Sequence, residues 1–499
     1  MAIPKICLCA AGSTINADLA MVEQYRRYID LVELRADCLT ENERLHIRKF
    51  PELAGLPCIL TIRRQVDGGA YIGGEAHRTI LFAKAMAFAN QDRSKNFAYV
   101  DFEEDFYVPS LQEAALAFDT RIIRSYHNLN ECVTNIAAKI NSLKITGYEI
   151  AKIACTPRNL HEVSTFFAEA MALSRGDYIL CLMGEYGFPS RILAERLQSF
   201  LTFSSPADGI PQPLGAPDLD HVDPITLHDM YGIKRITRNT KIFGIAGYPL
   251  KSTLSPLFHN TAFRKHNLDA VYIPIRGKEY GEVKEFAGFI GMSGLSITVP
   301  HKESAFANLK LQSESVKQVG ACNTLLRTAE GWVGYDTDGI GMVRALQDFL
   351  EKKTLSGLRV SIIGAGGAAK AVAWAVCKLH GKACVFNRTA ARAKKLAGLY
   401  KFRFASLGPE SIRLLGEYND LIIQATSVGL DAVQAGPGTD PLYFYLFNGK
   451  EAVYDIIYTP ELTPLLARAQ SAGCRISNGR SMLHYQAYEQ FKLFTGETY

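Results

Sequence analysis

A chain of 499 residues is too long for one hydrophobic core and predicts about two to four domains. Its 48% hydrophobic and 21% charged residues are those of a globular protein, and a net charge of only +5 without basic runs excludes a nucleic-acid partner. No apolar run reaches the roughly 18 residues of a membrane span, which excludes a membrane protein, and the eleven cysteines are scattered without metal-ligand spacing, so no metal is expected. Reduced thiols, and an N-terminus that enters the apolar run Ile6–Ala11 with no basic leader, predict a cytoplasmic location.

In chain order, short apolar strands are expected over Ile6–Ala11, Leu31–Arg35, Pro57–Arg63, Ala98–Phe102, Arg121–His127, Glu149–Cys155, Tyr178–Met183 and Phe200–Phe203. Between them, segments such as Thr79–Ala89, Val133–Leu143 and Leu160–Leu173 repeat apolar residues at helical spacing. Eight such strands in roughly 205 residues predict a parallel (β/α)8 TIM barrel, whose strand ends share one active-site mouth. Those ends carry Glu33-Leu-Arg35-Ala-Asp37, Thr61-Ile-Arg63, Ser125-Tyr-His127, Ala151-Lys152-Ile-Ala154 and, beyond the seventh strand, Ser190-Arg191.

A lysine inside an apolar strand is costly unless it is partnered or its pKa is lowered by desolvation. A neutral amine there adds to a ketone and forms a Schiff base, an electron sink for deprotonating the adjacent carbon. His127 on the neighbouring strand is placed to move that proton, and Arg35, Arg63 and Arg191 to hold a carboxylate. Taken singly, Lys152 also reads as a solvated rim residue, His127 as a satisfied polar core residue, and Arg35 as half of an ion pair with Glu33 or Asp37. Their recurrence at successive strand ends favours the chemical reading.

Over about residues 5–225 these segments resemble type I 3-dehydroquinate dehydratase. The resemblance implies that Lys152 forms an imine with the C3 ketone of 3-dehydroquinate. His127 then takes a proton from C2 and returns one to the departing C1 hydroxyl. It further implies that Glu33, Arg35, Arg63, Met183, Arg191 and Gln212 line the substrate site. Four residues before that glutamine, where the family usually has a hydroxyl residue, this chain has Asp208.

Proline and glycine gather over 205–224, and a basic stretch, Lys234 to Lys241, leads into a second region. It opens with an expected strand, Ile242–Ala246, and a helix start at Ser255-Pro256. Then follow Leu295-Ser-Ile-Thr-Val-Pro-His-Lys302, Gly320-Ala-Cys-Asn-Thr324 and Gly334-Tyr-Asp-Thr-Asp-Gly339, each placing polar groups beyond an apolar run. Singly, Ser252, Thr253 and Ser255 read as helix caps, Asp338 as a turn residue and Lys302 as a solvated lysine.

The run Ser361-Ile-Ile-Gly364-Ala365-Gly366-Gly367-Ala368-Ala369 is a strand passing through a glycine-rich turn into an alanine-rich helix, the arrangement that presents backbone N–H groups to a pyrophosphate. The next strand ends in Asn387-Arg388-Thr389, with Arg392 behind. An acidic residue there would bind a ribose 2′-hydroxyl; this set suits a 2′-phosphate, so the expected cofactor is NADP(H).

Over about residues 240–499 these motifs, with Ala425-Thr-Ser-Val-Gly-Leu430, Tyr454-Asp-Ile-Ile-Tyr458 and Met482-Leu-His-Tyr-Gln-Ala487, resemble shikimate dehydrogenase. The resemblance implies that Lys302 and Asp338 form a catalytic pair beside the reacting C3 oxygen. It assigns Thr253, Ser255, Ser296, Thr298, Asn323, Tyr458 and Gln486 to the substrate, and Thr426, Ile456 and Gly479 to the cofactor. Thr253 stands where the commonest bacterial pattern has serine and Ser296 where it has asparagine, substitutions that bear on tolerance of shikimate and quinate.

The fold expected is therefore α/β throughout: a barrel over 1–225, a linker over 226–240, and a two-lobed dehydrogenase. The dehydrogenase comprises a substrate-binding domain over 241–340, completed by a C-terminal helix over 480–499, and a Rossmann NADP-binding domain over 341–479. The two resemblances imply consecutive reactions in aromatic amino-acid biosynthesis, on 3-dehydroquinate and then 3-dehydroshikimate. A catabolic quinate or shikimate dehydrogenase would prefer NAD, against which Arg388 stands, and a non-catalytic sensor would have lost the chemical residues, which are all present.

Overall fold

The computed structural model describes residues 3–86, 92–174, 176–206, 222–250, 253–430, 436 and 438–499. The expected Gln212, with Asp208 and Ser252, lies outside the described residues. The chain divides into two compact units, Met1–Met292 and Ser293–Tyr499.

The first unit begins with eight parallel strands: β1 (Lys5–Ala10), β2 (Leu31–Arg35), β3 (Cys58–Thr61), β4 (Tyr99–Glu103), β5 (Arg121–Asn128), β6 (Ile150–Cys155), β7 (Tyr178–Leu182) and β8 (Leu201–Ser204). They pair in chain order from β1 to β7, and β8 returns to pair with β1. Between β7 and β8 the Phe200 N–H donates to the Tyr178 carbonyl at 2.8 Å, which nearly closes the barrel. All eight expected strands are present, with ends shifted by at most two residues.

Strand alternation builds the interior in layers. Cys7, Leu31, Ile59, Tyr99, Ile123, Ile150, Ile179 and Leu201 pack together as an apolar floor. Two residues further along the strands, the same face brings Glu33, Thr61, Asp101, Ser125 and Lys152 to one level above it. The helices end where the sequence supplies caps: Asn135 caps Ile136–Leu143 through Ala138 N–H, and Asn159 caps Leu160–Ala172 through Glu162 N–H.

The same unit contains the parallel pair β9 (Lys241–Gly247) and β10 (Ala270–Arg276), joined by the helix Ser255–Lys265 with proline in its first turn.

The second unit opens with β11 (Gly294–Ile297), β12 (Leu311–Gln312), β13 (Thr324–Thr328) and β14 (Gly331–Tyr335). Here β11 and β14 both run antiparallel to β13, and β12 lies parallel to β14. A parallel sheet follows: β15 (Arg359–Ile363), β16 (Lys382–Asn387), β17 (Arg403–Ser406), β18 (Leu421–Gln424), β19 (Ala452–Asp455) and β20 (Arg475–Ser477). Its spatial order is β17-β16-β15-β18-β19-β20, the doubly wound Rossmann order, which puts the switch point between β15 and β18. The core under it holds Val360, Ile362, Val372, Val376 and Val385. Among the described residues no helix is long and apolar enough to cross a membrane.

Candidate active sites

The barrel site follows from the layer above the apolar floor. Register aligns Thr61 of β3 with Asp101 of β4, and Ser125 of β5 with Lys152 of β6. Asp101 is the hub: its Oδ2 accepts from Lys152 Nζ at 2.9 Å and Arg63 Nη2 at 2.8 Å, and its Oδ1 from Ser125 Oγ at 2.5 Å. Glu33 lies 3.6 Å from Lys152 Nζ and accepts from Thr61 Oγ1 at 2.8 Å. The Lys152 ammonium also sits 4.5 Å from the centre of the Phe203 ring.

This arrangement corrects the expectation of a lysine with a lowered pKa. Burial does pull the ammonium down, but Asp101 and Glu33 outweigh it and hold Lys152 above the ordinary lysine value. The resting amine is therefore charged and ion-paired, and it must pass its proton on before it can add to a ketone.

His127 stands differently. Burial and the nearby Arg63 and Lys152 charges hold it well below the usual histidine value, so the imidazole is neutral. Its Nδ1 lies 3.0 Å from Arg63 Nη1; a guanidinium only donates, so Nδ1 is assigned as the unprotonated nitrogen. A neutral imidazole is the form a general base needs.

The three arginines separate into two kinds. Arg35 is held bidentate by Asp37 at 3.0 and 2.8 Å, the structural pairing open in the sequence. Arg63 is enclosed by Asp101, Ser125 and His127, and Glu103 lies at 3.5 Å. Arg191, on the short helix Phe188–Ile192, is buried with no carboxylate partner among the described residues; its Nη1 makes long contacts of 3.5 Å to the Phe203 carbonyl and 3.8 Å to Cys181 Sγ, and its Nε bonds nothing. A buried guanidinium without a counter-ion is what an anionic ligand would satisfy. Met183 packs beside Cys181 and Phe203 in the interior cluster.

Sequence reasoning missed Asp101 and Glu103. Their signal was the alternation Tyr99-Val-Asp-Phe-Glu103, which puts both acids on the inward face of β4.

In the dehydrogenase half, Thr253 and Ser255 belong to the first unit and bond each other through their hydroxyls at 3.2 Å. The second unit gathers the rest in two groups. Lys302, at the start of the helix Lys302–Ala307, donates to Asp338 Oδ2 at 2.5 Å, and Asp338 opens the helix Asp338–Leu350. Burial would lower the Lys302 ammonium, but Asp338 and Asp336 more than offset it and hold it above the ordinary value.

The second group is a chain of neutral donors and acceptors. Asn323 donates to Thr337 Oγ1 and accepts from Thr324 Oγ1, each at 2.9 Å. Thr337 reaches Gln486 Oε1 at 3.4 Å, Gln490 donates to Thr324 Oγ1 at 2.9 Å, and Ser296 donates to Gln490 Oε1 at 2.9 Å. Thr324, Thr337 and Gln490 were not foreseen; Gln490 sits one helical turn beyond Gln486 on the same face. Thr298, just after β11, and Tyr458, just after β19, are half-buried beyond their strand ends.

The residues of the cofactor motif fit a dinucleotide. Gly364 has φ +117°, a left-handed conformation, and a methyl there would meet the Ala425 carbonyl at 2.9 Å. The turn passes through Ala365 to Gly366, which caps the helix Gly367–Lys378 without a side-chain bond, so the first-turn N–H groups of Gly367, Ala368 and Ala369 are left for a phosphate. A methyl on Gly367 would lie 3.2 Å from Lys302 Cβ, so the turn touches the stem of Lys302.

At the end of β16, Asn387 bonds the Thr389 carbonyl at 3.0 Å, and Arg388, Thr389 and Arg392 are exposed at the start of the helix Ala390–Tyr400. Among the described residues Arg388 has no ion-pair partner, and no acid ends the strand. Thr426 accepts the Val428 N–H at 3.1 Å, Ile456 donates its N–H to the Gln424 carbonyl at 3.1 Å, and Gly479 donates to the Ile457 carbonyl at 3.0 Å.

The type I 3-dehydroquinase family model matches residues 6–225. The models for the shikimate dehydrogenase substrate binding domain and for shikimate / quinate 5-dehydrogenase match residues 245–325 and 346–436. The chain is 29% identical to the chloroplastic bifunctional 3-dehydroquinate dehydratase/shikimate dehydrogenase of Arabidopsis thaliana, over 98% of this chain and 82% of that protein. It is 37% identical to the NADP(+) shikimate dehydrogenase of Pyrococcus abyssi, over 51% of this chain and 92% of that protein. The corresponding enzyme of Thermococcus kodakarensis is 38% identical over 52% and 92%. The chain belongs to the shikimate dehydrogenase family through its second half, and carries a type I 3-dehydroquinase domain in its first.

Proposed function

We propose that the barrel dehydrates 3-dehydroquinate to 3-dehydroshikimate through an imine on Lys152, and that the second half reduces this product to shikimate. The observation that carries the reading is the Lys152 ammonium paired with Asp101 above an apolar floor, with a neutral His127 and, among the described residues, no carboxylate on Arg191 in the same barrel. Arg191 binds the substrate carboxylate. Lys152, once deprotonated, adds to the C3 ketone and water leaves as the imine forms. His127 takes the C2 proton, the electron pair flows into the imine, and His127 returns the proton to the C1 hydroxyl as it departs as water. A second water then hydrolyses the imine and frees the lysine.

In the second half the cofactor is NADP(H), and NADPH supplies a hydride when bound. Gly364–Ala369 hold its pyrophosphate, and Arg388, Thr389 and Arg392 its 2′-phosphate. Lys302, kept charged by Asp338, gives a proton to the C3 oxygen as negative charge develops there. Asn323 and Gln486 present amide donors and acceptors to the substrate hydroxyls. The domain boundaries proposed are 1–225, 226–240, 241–340 with 480–499, and 341–479. Eleven free cysteines favour a reducing compartment such as the cytoplasm.

Borohydride added during turnover with 3-dehydroquinate tests the barrel reading. The expected result is a stable adduct on the peptide containing Lys152 and loss of dehydratase activity. An active enzyme left unmodified at Lys152 would rule out the imine.

A further inference from the structure

Asp336 lies two residues before Asp338, in the turn between β14 and the helix Asp338–Leu350, and neither reaction above uses it. Its side chain is 2% exposed. Oδ1 accepts the Gly339 N–H at 2.8 Å, whereas Oδ2 is buried and bonds nothing. An ionised carboxylate with an orphaned oxygen is costly away from water, and a protonated one much less so.

The groups around it come from four elements. Asp338 follows on its own chain, and Lys302 faces both acids from the helix Lys302–Ala307. Cys322, before β13, has its thiol pushed up by burial to about 12, and Tyr400, at the end of the helix Ala390–Tyr400, has its phenol raised by burial, so both stay neutral near pH 7. Among the described residues Lys302 is thus the cation facing these two carboxylates, and Asp338 already holds it at 2.5 Å. Burial and the Asp338 charge push the Asp336 carboxyl up to about 8, against the pull of Gly339 N–H and Lys302.

We propose that Asp336 is a positioning residue of the dehydrogenase: a neutral carboxylic acid that braces the turn through Gly339, leaves Lys302 bound to one carboxylate, and adds a second negative charge beside it in alkaline solution. During ketone reduction negative charge grows on the C3 oxygen and Lys302 gives up a proton. A second carboxylate beside Lys302 opposes both events, so turnover in the direction of reduction falls as Asp336 ionises. The inference rests on Lys302 and Asp338 acting as the catalytic pair.

Asp336→Asn tests it, because the amide copies the neutral acid and keeps an oxygen for Gly339. In the full-length enzyme, kcat for NADPH-dependent reduction of 3-dehydroshikimate is measured from about pH 6 to about pH 10, a range spanning the about 8 of Asp336. The expected result is neutral-pH turnover within about threefold of wild type and loss of the alkaline fall centred near pH 8. An alkaline fall identical in both enzymes, or a loss beyond about 100-fold at neutral pH, would overturn the proposal.

Lys302→Met separates the two readings. If it retains turnover, the catalytic pair itself fails; if it is inactive while Asp336→Asn titrates like wild type, only the role of Asp336 fails. Infrared titration gives a readout independent of activity and of the folding of Asp336→Asn. Wild type should show a protonated-carboxyl C=O band that disappears near pH 8, and Lys302→Met should move that loss to higher pH by removing a charge that pulls it down. No band titrating there, or one unmoved by Lys302→Met, would refute the assignment.

Discussion

Replacing Asp101 by asparagine keeps the shape of the side chain and removes one charge from a site where it serves Lys152, Arg63 and Ser125 at once. The Ser125 hydroxyl keeps an oxygen to donate to, so the loss is electrostatic: Lys152 and Arg63 are left buried side by side. Removing one partner of such a buried cluster costs about 3–5 kcal/mol. With a urea dependence of about 2 kcal/mol per molar, the unfolding midpoint of the barrel should fall by about 2 M. Both tryptophans, Trp332 and Trp374, lie in the second unit, so their fluorescence follows that unit while far-ultraviolet circular dichroism follows the whole chain. The variant should show an early circular-dichroism transition with the fluorescence transition unmoved.

The pH dependence has a definite sign. Burial alone would raise the Asp101 carboxyl, but Arg63, Lys152, His127 and Ser125 hold it far below the ordinary value. Its stabilisation is therefore complete above the unfolded value of about 4 and declines as pH falls below it, so the difference between wild type and Asp101→Asn should narrow in acid. A difference under about 1 kcal/mol at neutral pH would refute the argument from a buried, mutually dependent charge cluster.

Arg388→Ala should raise the Michaelis constant for NADPH by about 10-fold or more and leave that for NADH nearly unchanged; equal effects would remove the 2′-phosphate contact. Gly479→Ala would place a methyl 1.9 Å from the Ile456 carbonyl oxygen and should cost several-fold in NADPH affinity together with stability. Gly398→Ala, in an exposed stretch of the helix Ala390–Tyr400 where a methyl meets nothing within 4 Å, should stabilise the second unit by about 1 kcal/mol, read from tryptophan fluorescence in urea. Asp18 is fully buried and its carboxyl is pushed up to about 6, chiefly by burial. A raised folded value means stability lost as pH rises from about 4 through 6, so Asp18→Asn should gain about 2 kcal/mol at pH 7 and nothing at pH 4, measured by chemical denaturation.

Much of this molecule was legible in the chain. Eight apolar runs with helical segments between them specified the barrel because strand and helix periodicities are local properties. The lysine in β6 and the strand-end histidine and arginines were visible as polar residues at positions where apolar ones were expected. The glycine-rich turn and the Arg388 strand end specified a nucleotide site, since both depend on residues adjacent in sequence.

Other features depended on residues far apart in the chain. Lys152 meets Asp101 across 51 residues of sequence, and that meeting decides its charge: desolvation alone predicts a lowered pKa, and the carboxylates of β2 and β4 reverse it. The same distance effect sorts three similar arginines into one paired within its own strand end, one enclosed by acids and one with no carboxylate partner among the described residues. In the second unit it makes Asp336 and Asp338, two acids two residues apart, differ in what they bond. Composition and pattern determined the two folds and the kinds of chemistry each carries. The protonation states, and which cation remains for which anion, were decided by tertiary structure, because Coulomb and desolvation energies depend on distance and burial in space.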